Sequence, residues 1–134
     1  MEVRNLLDIS TREELYRWYQ DNHDKVSDFW LRVNRASADC PGVIRYVDAV
    51  EVALCFGWID STMKRIDDGK AIQHFTPRRR GSNWCEQNLE RCRRLIKLGE
   101  MTPAGLAVLQ RFIAACHAGK MQPGWSDFGR LEEF

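Results

Sequence analysis

The dipeptide Asp68-Gly69 constrains the fold of this chain most strongly, because such a pair closes two-residue β-hairpins. The flanking segments IDSTMKRID (59–67) and AIQHFTPR (71–78) are short and carry β-branched residues, as strands do. We therefore expect two antiparallel strands joined at this turn. Counting outward from the turn, Asp60 and Arg78 should lie roughly opposite one another, where their side chains can touch.

A third strand is expected at FWLRVNRA (29–36), where apolar Phe29, Leu31 and Val33 alternate with more polar neighbours. Four segments have helical signals. The first can be capped by Ser10 or Thr11, the second starts near Tyr46, and the fourth starts at Thr102-Pro103.

The third helix should be capped by Ser82 or Asn83. Its inner stripe would then consist of Cys85, Leu89, Cys92 and Ile96, with Leu95 as a further candidate. The sum of these elements is an α+β fold: a single small domain with about three antiparallel strands packed with about four helices. We expect this domain to span residues 1–134, with 120–134 as a loosely packed tail.

The composition of the chain limits the cellular compartment and the classes of binding partner that we expect. Five cysteines, an odd number with no CxxC, favour a reducing compartment, and no apolar run approaches a membrane span. The charged amino-terminal stretch is unlike a signal peptide, so we expect a cytoplasmic protein. A formal net charge of +1 disfavours a dedicated nucleic-acid binder. No histidine or cysteine spacing indicates a metal, and no motif indicates a cofactor.

Two stretches could carry a site. HFTPRRRGSNW (74–84) places three arginines before the expected start of a helix, and both features suit an anion. A solvated basic turn is the simpler interpretation of the same residues. CFGWID (55–60) surrounds Asp60 with apolar groups, so its carboxylate needs either solvent or a partner. The arginines one strand away are the expected partners.

We therefore predict a ligand-binding pocket beside the third helix. Its walls would be Trp58 and Trp84, and Arg78 and Ser82 would hold an anion. The polar groups that orient the ligand would be Asp60 and Asn88. Separately, Cys85 would lie in the first helical turn near the arginines, where the thiolate is favoured, so it is a candidate reactive thiol. An inert, small buried side chain is the alternative for this cysteine.

The segments EVALCFGWIDS, FTPRRRGSNW and LIKLGEMTPAGL resemble the YdeI/OmpD-associated (OmdA-like) family of bacteriocin-protection proteins, from about Tyr46 to Leu106. The resemblance implies a small α+β protein linked to tolerance of bacteriocins or antimicrobial peptides, with no established reaction. The recurring positions of the family fall here on Phe56, Gly57, Trp58, Asp60, Phe75, Pro77, Arg78, Ser82, Trp84, Asn88, Met101, Pro103 and Gly105. Two differences from the pattern of the family are noted. Many relatives have serine at the position of Cys85, and many continue into an Ala/Lys/Arg-rich helical segment, which we do not expect here because the sequence stops at Phe134.

The leading functional hypothesis is a domain that binds a small anionic ligand or a protein partner. The first alternative is an enzyme in which Asp60 acts as acid or base and Arg78 stabilises a developing negative charge. Asp60, Ser61 and His74 could also meet, although no motif orders them as a triad. Further alternatives are single-stranded nucleic-acid binding and a protein-interaction module that uses the tail aromatics Trp125 and Phe128.

Overall fold

The computed structural model describes residues 2–67, 69–81 and 84–120, with the backbone alone at Asp67. It has two compact units, Met1–Ala53 together with Trp58–Pro77, and Leu54–Gly57 together with Arg78–Phe134. From residue 121 onward the expected tail, with Trp125 and Phe128, lies outside the described residues. No helix in the described part of the chain is long and apolar enough to cross a membrane.

The first unit contains a five-stranded mixed sheet, one complete helix and most of a second helix. Its elements are β1 (Leu6–Leu7), α1 (Arg12–Asn22), β2 (Phe29–Asn34), β3 (Ile44–Arg45), α2 (Tyr46–Cys55), β4 (Trp58–Asp67) and β5 (Lys70–Pro77). The last two residues of α2 belong to the second unit. The second unit also holds α3 (Glu86–Lys97) and α4 (Pro103–His117). The α+β class and the four helices are thus confirmed for the described residues.

The strand prediction was correct only for the three long strands. These run antiparallel in the order β2-β5-β4, with the hairpin at the expected turn. The two-residue strands β1 and β3 were missed, and both pair parallel to β2, at Trp30–Leu31 and at Val33–Asn34. Two residues are too short to show an alternating pattern, so only the packing of the chain against β2 defines them.

The register of the hairpin differs from the expected one. Asp67 pairs with Lys70, but Asp60 pairs with Phe75 and Trp58 with Pro77. The register shifts once between Asp60 and Met63 and once between Arg65 and Asp67. Each shift places an extra residue in β4, as a β-bulge does. The count from the turn, which placed Asp60 roughly opposite Arg78, was therefore wrong.

Alternation along the strands gives the sheet an inner and an outer face. On the inner face Phe29 stacks on Phe75, with ring centroids 5.2 Å apart, and Tyr19 of α1 meets Trp58 edge-on at 5.3 Å. These buried aromatic rings form the core of the first unit. The outer face carries the side chains of the intervening positions, among them Trp30 and His74, which pair across β2 and β5.

In the second unit, α4 begins as expected. Thr102 caps it by accepting from the backbone N–H of Gly105 at 3.3 Å, and Pro103 occupies the first turn. The expected start of α3 was wrong: Cys85 is the N-cap, without a side-chain cap bond, and Glu86 is the first helical residue. The buried stripe is accordingly Leu89, Cys92 and Leu95, whereas Cys85 and Ile96 are exposed.

Candidate functional site

The predicted site residues divide between the two units. Trp58 and Asp60 belong to the first unit, and Arg78, Trp84, Cys85 and Asn88 belong to the second. Ser82, the predicted anion-binding hydroxyl, lies outside the described residues, as does Asn83.

Trp58 is part of the aromatic core of the first unit. Its side chain is 1% exposed, and its ring lies 6.3 Å from Trp18 and 5.6 Å from Phe29, centroid to centroid. These contacts give the tryptophan a packing role in the first unit, whereas the sequence suggested a pocket wall.

Asp60 has a tyrosine partner that the sequence did not suggest. The hydroxyl of Tyr46, at the start of α2, donates to Asp60 Oδ2 at 2.6 Å, and the guanidinium of Arg35 lies 3.9 Å from the centroid of the Tyr46 ring. Burial, followed by this hydrogen bond, raises the pKa of Tyr46. Burial and then the charge of Asp60 raise the pKa of Tyr19 well above its ordinary range. Asp60 therefore lies in a small phenol–carboxylate cluster.

Arg78 is the buried member of the arginine triplet. Its backbone N–H donates to the Gly57 carbonyl at 2.9 Å, and its guanidinium carbon lies 3.8 Å from the centroid of the Trp84 ring. Arg78 is 6% exposed, whereas Arg79 and Arg80 are exposed. The structure thus brings together two of the predicted residues, Arg78 and Trp84, in a cation–π contact.

A cleft in the second unit is lined by three arginines. We call it the guanidinium cleft; its volume is about 60 Å³. Its lining residues are Arg79, Arg80, Gly81, Trp84, Val108, Arg111, Phe112 and Ala115. Trp84 and Phe112 form an apolar floor, since they are 5% and 4% exposed and their rings lie 5.7 Å apart. Arg111 and Phe112 were missed because they belong to α4, far along the sequence from the arginine triplet.

The start of α3 holds the two remaining predicted residues. Cys85 is exposed at the N-cap. The side-chain oxygen of Asn88 accepts from Arg91 at 2.8 Å, so this amide bonds within its own helix. One turn further, Cys92 is buried, and burial raises the pKa of its thiol to about 12, although the charge of Arg78 acts in the opposite direction.

The exposed side of α3 is the surface that the nucleic-acid alternative would use. It is lined by Gln87, Glu90, Arg91, Arg93, Arg94 and Lys97. Arg91 bonds to Asn88, and Arg93 lies 3.4 Å from Glu90. Two of the positively charged side chains of this surface, Arg91 and Arg93, therefore already have partners within the helix.

A second polar cluster lies on the outer face of the sheet in the first unit. Ser61 Oγ is 2.9 Å from His74 Nδ1, and His74 Nε2 is 2.8 Å from Asp28 Oδ2. The sequence indicated that Ser61 and His74 could meet, but it proposed Asp60 as the acid. Alternation in the strand puts Asp60 on the inner face, and Asp28, 46 residues before His74, is the carboxylate in reach.

Comparison with known proteins gives one family match. Residues 7–108 match the model described as "Domain of unknown function (DUF8412)". Neither the curated proteins nor the solved structures gave a significant match. The matched range includes residues of both units.

Proposed function

The chain belongs to the family described as a domain of unknown function, DUF8412, and we propose that it binds a small anion in the guanidinium cleft of its second unit. One observation carries this proposal. Arg79, Arg80 and Arg111 line the same cleft, and its described lining contains no acidic side chain.

The charge distribution favours an anionic occupant. Three like charges around one cleft repel one another, and a bound anion converts this repulsion into attraction. The buried rings of Trp84 and Phe112 exclude water from one side of the cleft, which strengthens the attraction. The planar guanidinium fork matches the geometry of carboxylate and phosphate oxygens.

The size of the cleft limits what it holds. A volume of about 60 Å³ corresponds to roughly two water molecules at their share of liquid volume. Pockets for drug-sized ligands enclose about 300–1,000 Å³. We therefore propose that the cleft takes a single carboxylate or phosphate group, and that any remaining part of the ligand extends outside it.

Isothermal titration calorimetry tests the proposal. At low salt, inorganic phosphate and benzoate serve as the phosphate and carboxylate probes, and at least one of them should bind. The variant Arg111→Gln should weaken that binding by about tenfold, which is the loss of about 1.4 kcal/mol of charge-assisted hydrogen bonding.

The matched control is Arg17→Gln, an exposed arginine of α1 in the first unit, which makes the same change in net charge. Binding should be unchanged in this variant. Absence of heat with both probes, or equal affinities of the two variants, would reject the cleft as an anion site.

The resemblance to the bacteriocin-protection proteins supports a role for this binding in tolerance of antimicrobial peptides. A bacterial host that expresses the chain should then survive a bacteriocin better than the host with an empty vector, and Arg111→Gln should remove the advantage. Equal protection by the wild type and this variant would show that tolerance does not depend on anion binding in the guanidinium cleft.

A further inference from the structure

The cluster on the outer face of the first unit links a hydroxyl, an imidazole and a carboxylate. Ser61 comes from β4, His74 from β5, and Asp28 directly precedes β2. The two hydrogen bonds, 2.9 Å and 2.8 Å, use both ring nitrogens of the histidine. The side chain of His74 is 12% exposed and that of Asp28 is 34% exposed, whereas Ser61 is exposed, so the hydroxyl end of the chain faces solvent.

The hydrogen bonds determine which nitrogen carries the proton. An ionised carboxylate only accepts, so in a neutral imidazole the proton of His74 lies on Nε2, which donates to Asp28, and Nδ1 keeps its lone pair. The hydroxyl of Ser61 then donates to Nδ1. The carbonyl oxygen of His74 is a second acceptor for this hydroxyl, but it is further away, at 3.4 Å. This tautomer is the one that a general base needs, with the two nitrogens exchanged relative to the serine-protease triad.

Packing holds the imidazole in this orientation. The ring of His74 stacks on Trp30, with centroids 4.6 Å apart and planes inclined by 24°. Trp30 is 1% exposed, so the stacking partner is itself fixed. A ring that is stacked on one side and bonded at both nitrogens requires little rearrangement before it accepts a proton.

The serine is held by the first β-bulge of the hairpin. Ser61 and Thr62 lie where the register shifts, between Asp60 and Met63. The buried amide of Gln73 donates to the carbonyl oxygens of both, at 3.0 Å and 3.2 Å. Bulges redirect side chains and are frequent beside active sites. The bulge therefore gives the hydroxyl a defined position opposite His74.

We propose that Ser61 is a nucleophile activated by His74, and that this site hydrolyses small carboxylic esters. Asp28 is a positioning residue that selects the tautomer of His74. Arg32 and Lys64 both pair with Ile72 in the sheet and therefore share the outer face with the cluster. Their positive charges favour the negative charge that develops on the carbonyl oxygen, and favour esters that carry an anionic group.

The reaction is balanced by water alone. The oxygen of Ser61 bonds to the ester carbonyl carbon while His74 Nδ1 takes the hydroxyl proton. The bond from that carbon to the alkoxy oxygen breaks, and His74 gives the proton to the departing alcohol. A water molecule then attacks the acyl-serine, His74 accepts one of its protons, and the proton returns to Ser61 as the acid leaves. The net change is ester plus water to acid plus alcohol.

Two measurements on the full-length chain test the site. With p-nitrophenyl acetate as the probe, Ser61→Ala and His74→Gln should each lower kcat/KM by at least about 100-fold. The matched controls Ser37→Ala and His117→Gln, both exposed and outside the cluster, should retain the wild-type rate. A fluorophosphonate should label the wild type at Ser61, as located by peptide mapping. An unchanged rate in Ser61→Ala, no turnover by the wild type, or no label at Ser61 would overturn the proposal.

The role of Asp28 has its own readout. Nitrogen-15 NMR should show the neutral imidazole of His74 protonated at Nε2 in the wild type. In Asp28→Asn the proportion of this tautomer should fall, and kcat/KM should fall by at least about tenfold with it. A His74 protonated at Nδ1 in the wild type would contradict the assignment of the general base, whatever the rates.

Discussion

Replacement of Gly105 by alanine tests the packing of the second unit at its closest approach. A Cβ atom added at Gly105 would lie 2.3 Å from the carbonyl oxygen of Cys55, 2.6 Å from its carbonyl carbon and 2.7 Å from the carbonyl oxygen of Leu54. All three are backbone atoms, so no side-chain rotation relieves the overlap. The backbone N–H of Thr102 also donates to the Cys55 carbonyl, at 3.1 Å, which fixes that group further.

Two opposing effects decide the magnitude. Alanine is better than glycine inside a helix by about 1 kcal/mol. Overpacking a tight contact costs about 1–3 kcal/mol, and a contact that forces backbone to move belongs at the upper end of this range. The difference predicts that Gly105→Ala lowers the free energy of unfolding by about 2 kcal/mol.

Urea denaturation followed by far-UV circular dichroism measures this change. The control is Ala107→Gly, at an exposed position of the same helix, which should cost about 1 kcal/mol from helix propensity alone. If Gly105→Ala is as stable as the wild type or more stable, the gain in helix propensity equals or exceeds the cost of overpacking. The close approach between α4 and the Cys55 carbonyl then does not constrain the fold.

Three further outcomes are expected. Burial raises the pKa of the Cys92 thiol to about 12 from an ordinary 9.0, so its contribution to stability is complete below pH 9 and is lost as the pH rises towards 12. The free energy of unfolding, measured with urea at several pH values, should therefore fall between pH 9 and 12, and it should fall less in Cys92→Ala. The same dependence on pH in the wild type and in the variant would contradict the raised pKa. Tyr46→Phe removes a hydroxyl that donates to a carboxylate and should cost about 1–3 kcal/mol at neutral pH, measured by urea unfolding; a loss below about 0.5 kcal/mol would show that water replaces the bond. Arg78→Ala removes a buried cation from the face of Trp84, so it should lower stability by about 2 kcal/mol and alter tryptophan fluorescence, whereas exposed Arg79→Ala should change stability by under about 0.5 kcal/mol. Equal effects of the two arginine variants would argue against the stacked geometry.

The sequence by itself determined the elements whose signals are local. Asp68-Gly69 predicted the hairpin, and Thr102-Pro103 predicted the start of α4, because turn and cap preferences depend on a few neighbouring residues. It also singled out Arg78 and Trp84, which the structure places in contact. Local signals failed at α3, where Cys85 rather than a serine or asparagine precedes the first helical turn.

Only the tertiary structure decided how the side chains of separate elements meet. Two bulges shift the register of β4 by two residues, and hydrophobic alternation does not reveal an inserted residue. Arg111 reaches the arginine triplet because α4 packs within the second unit, and Asp28 reaches His74 across the sheet from 46 residues away. Hydrophobic periodicity records which face of an element is buried. The partner that this face meets is set by the packing of the whole unit, and for that reason the guanidinium cleft and the Ser61–His74–Asp28 cluster became visible only in the fold.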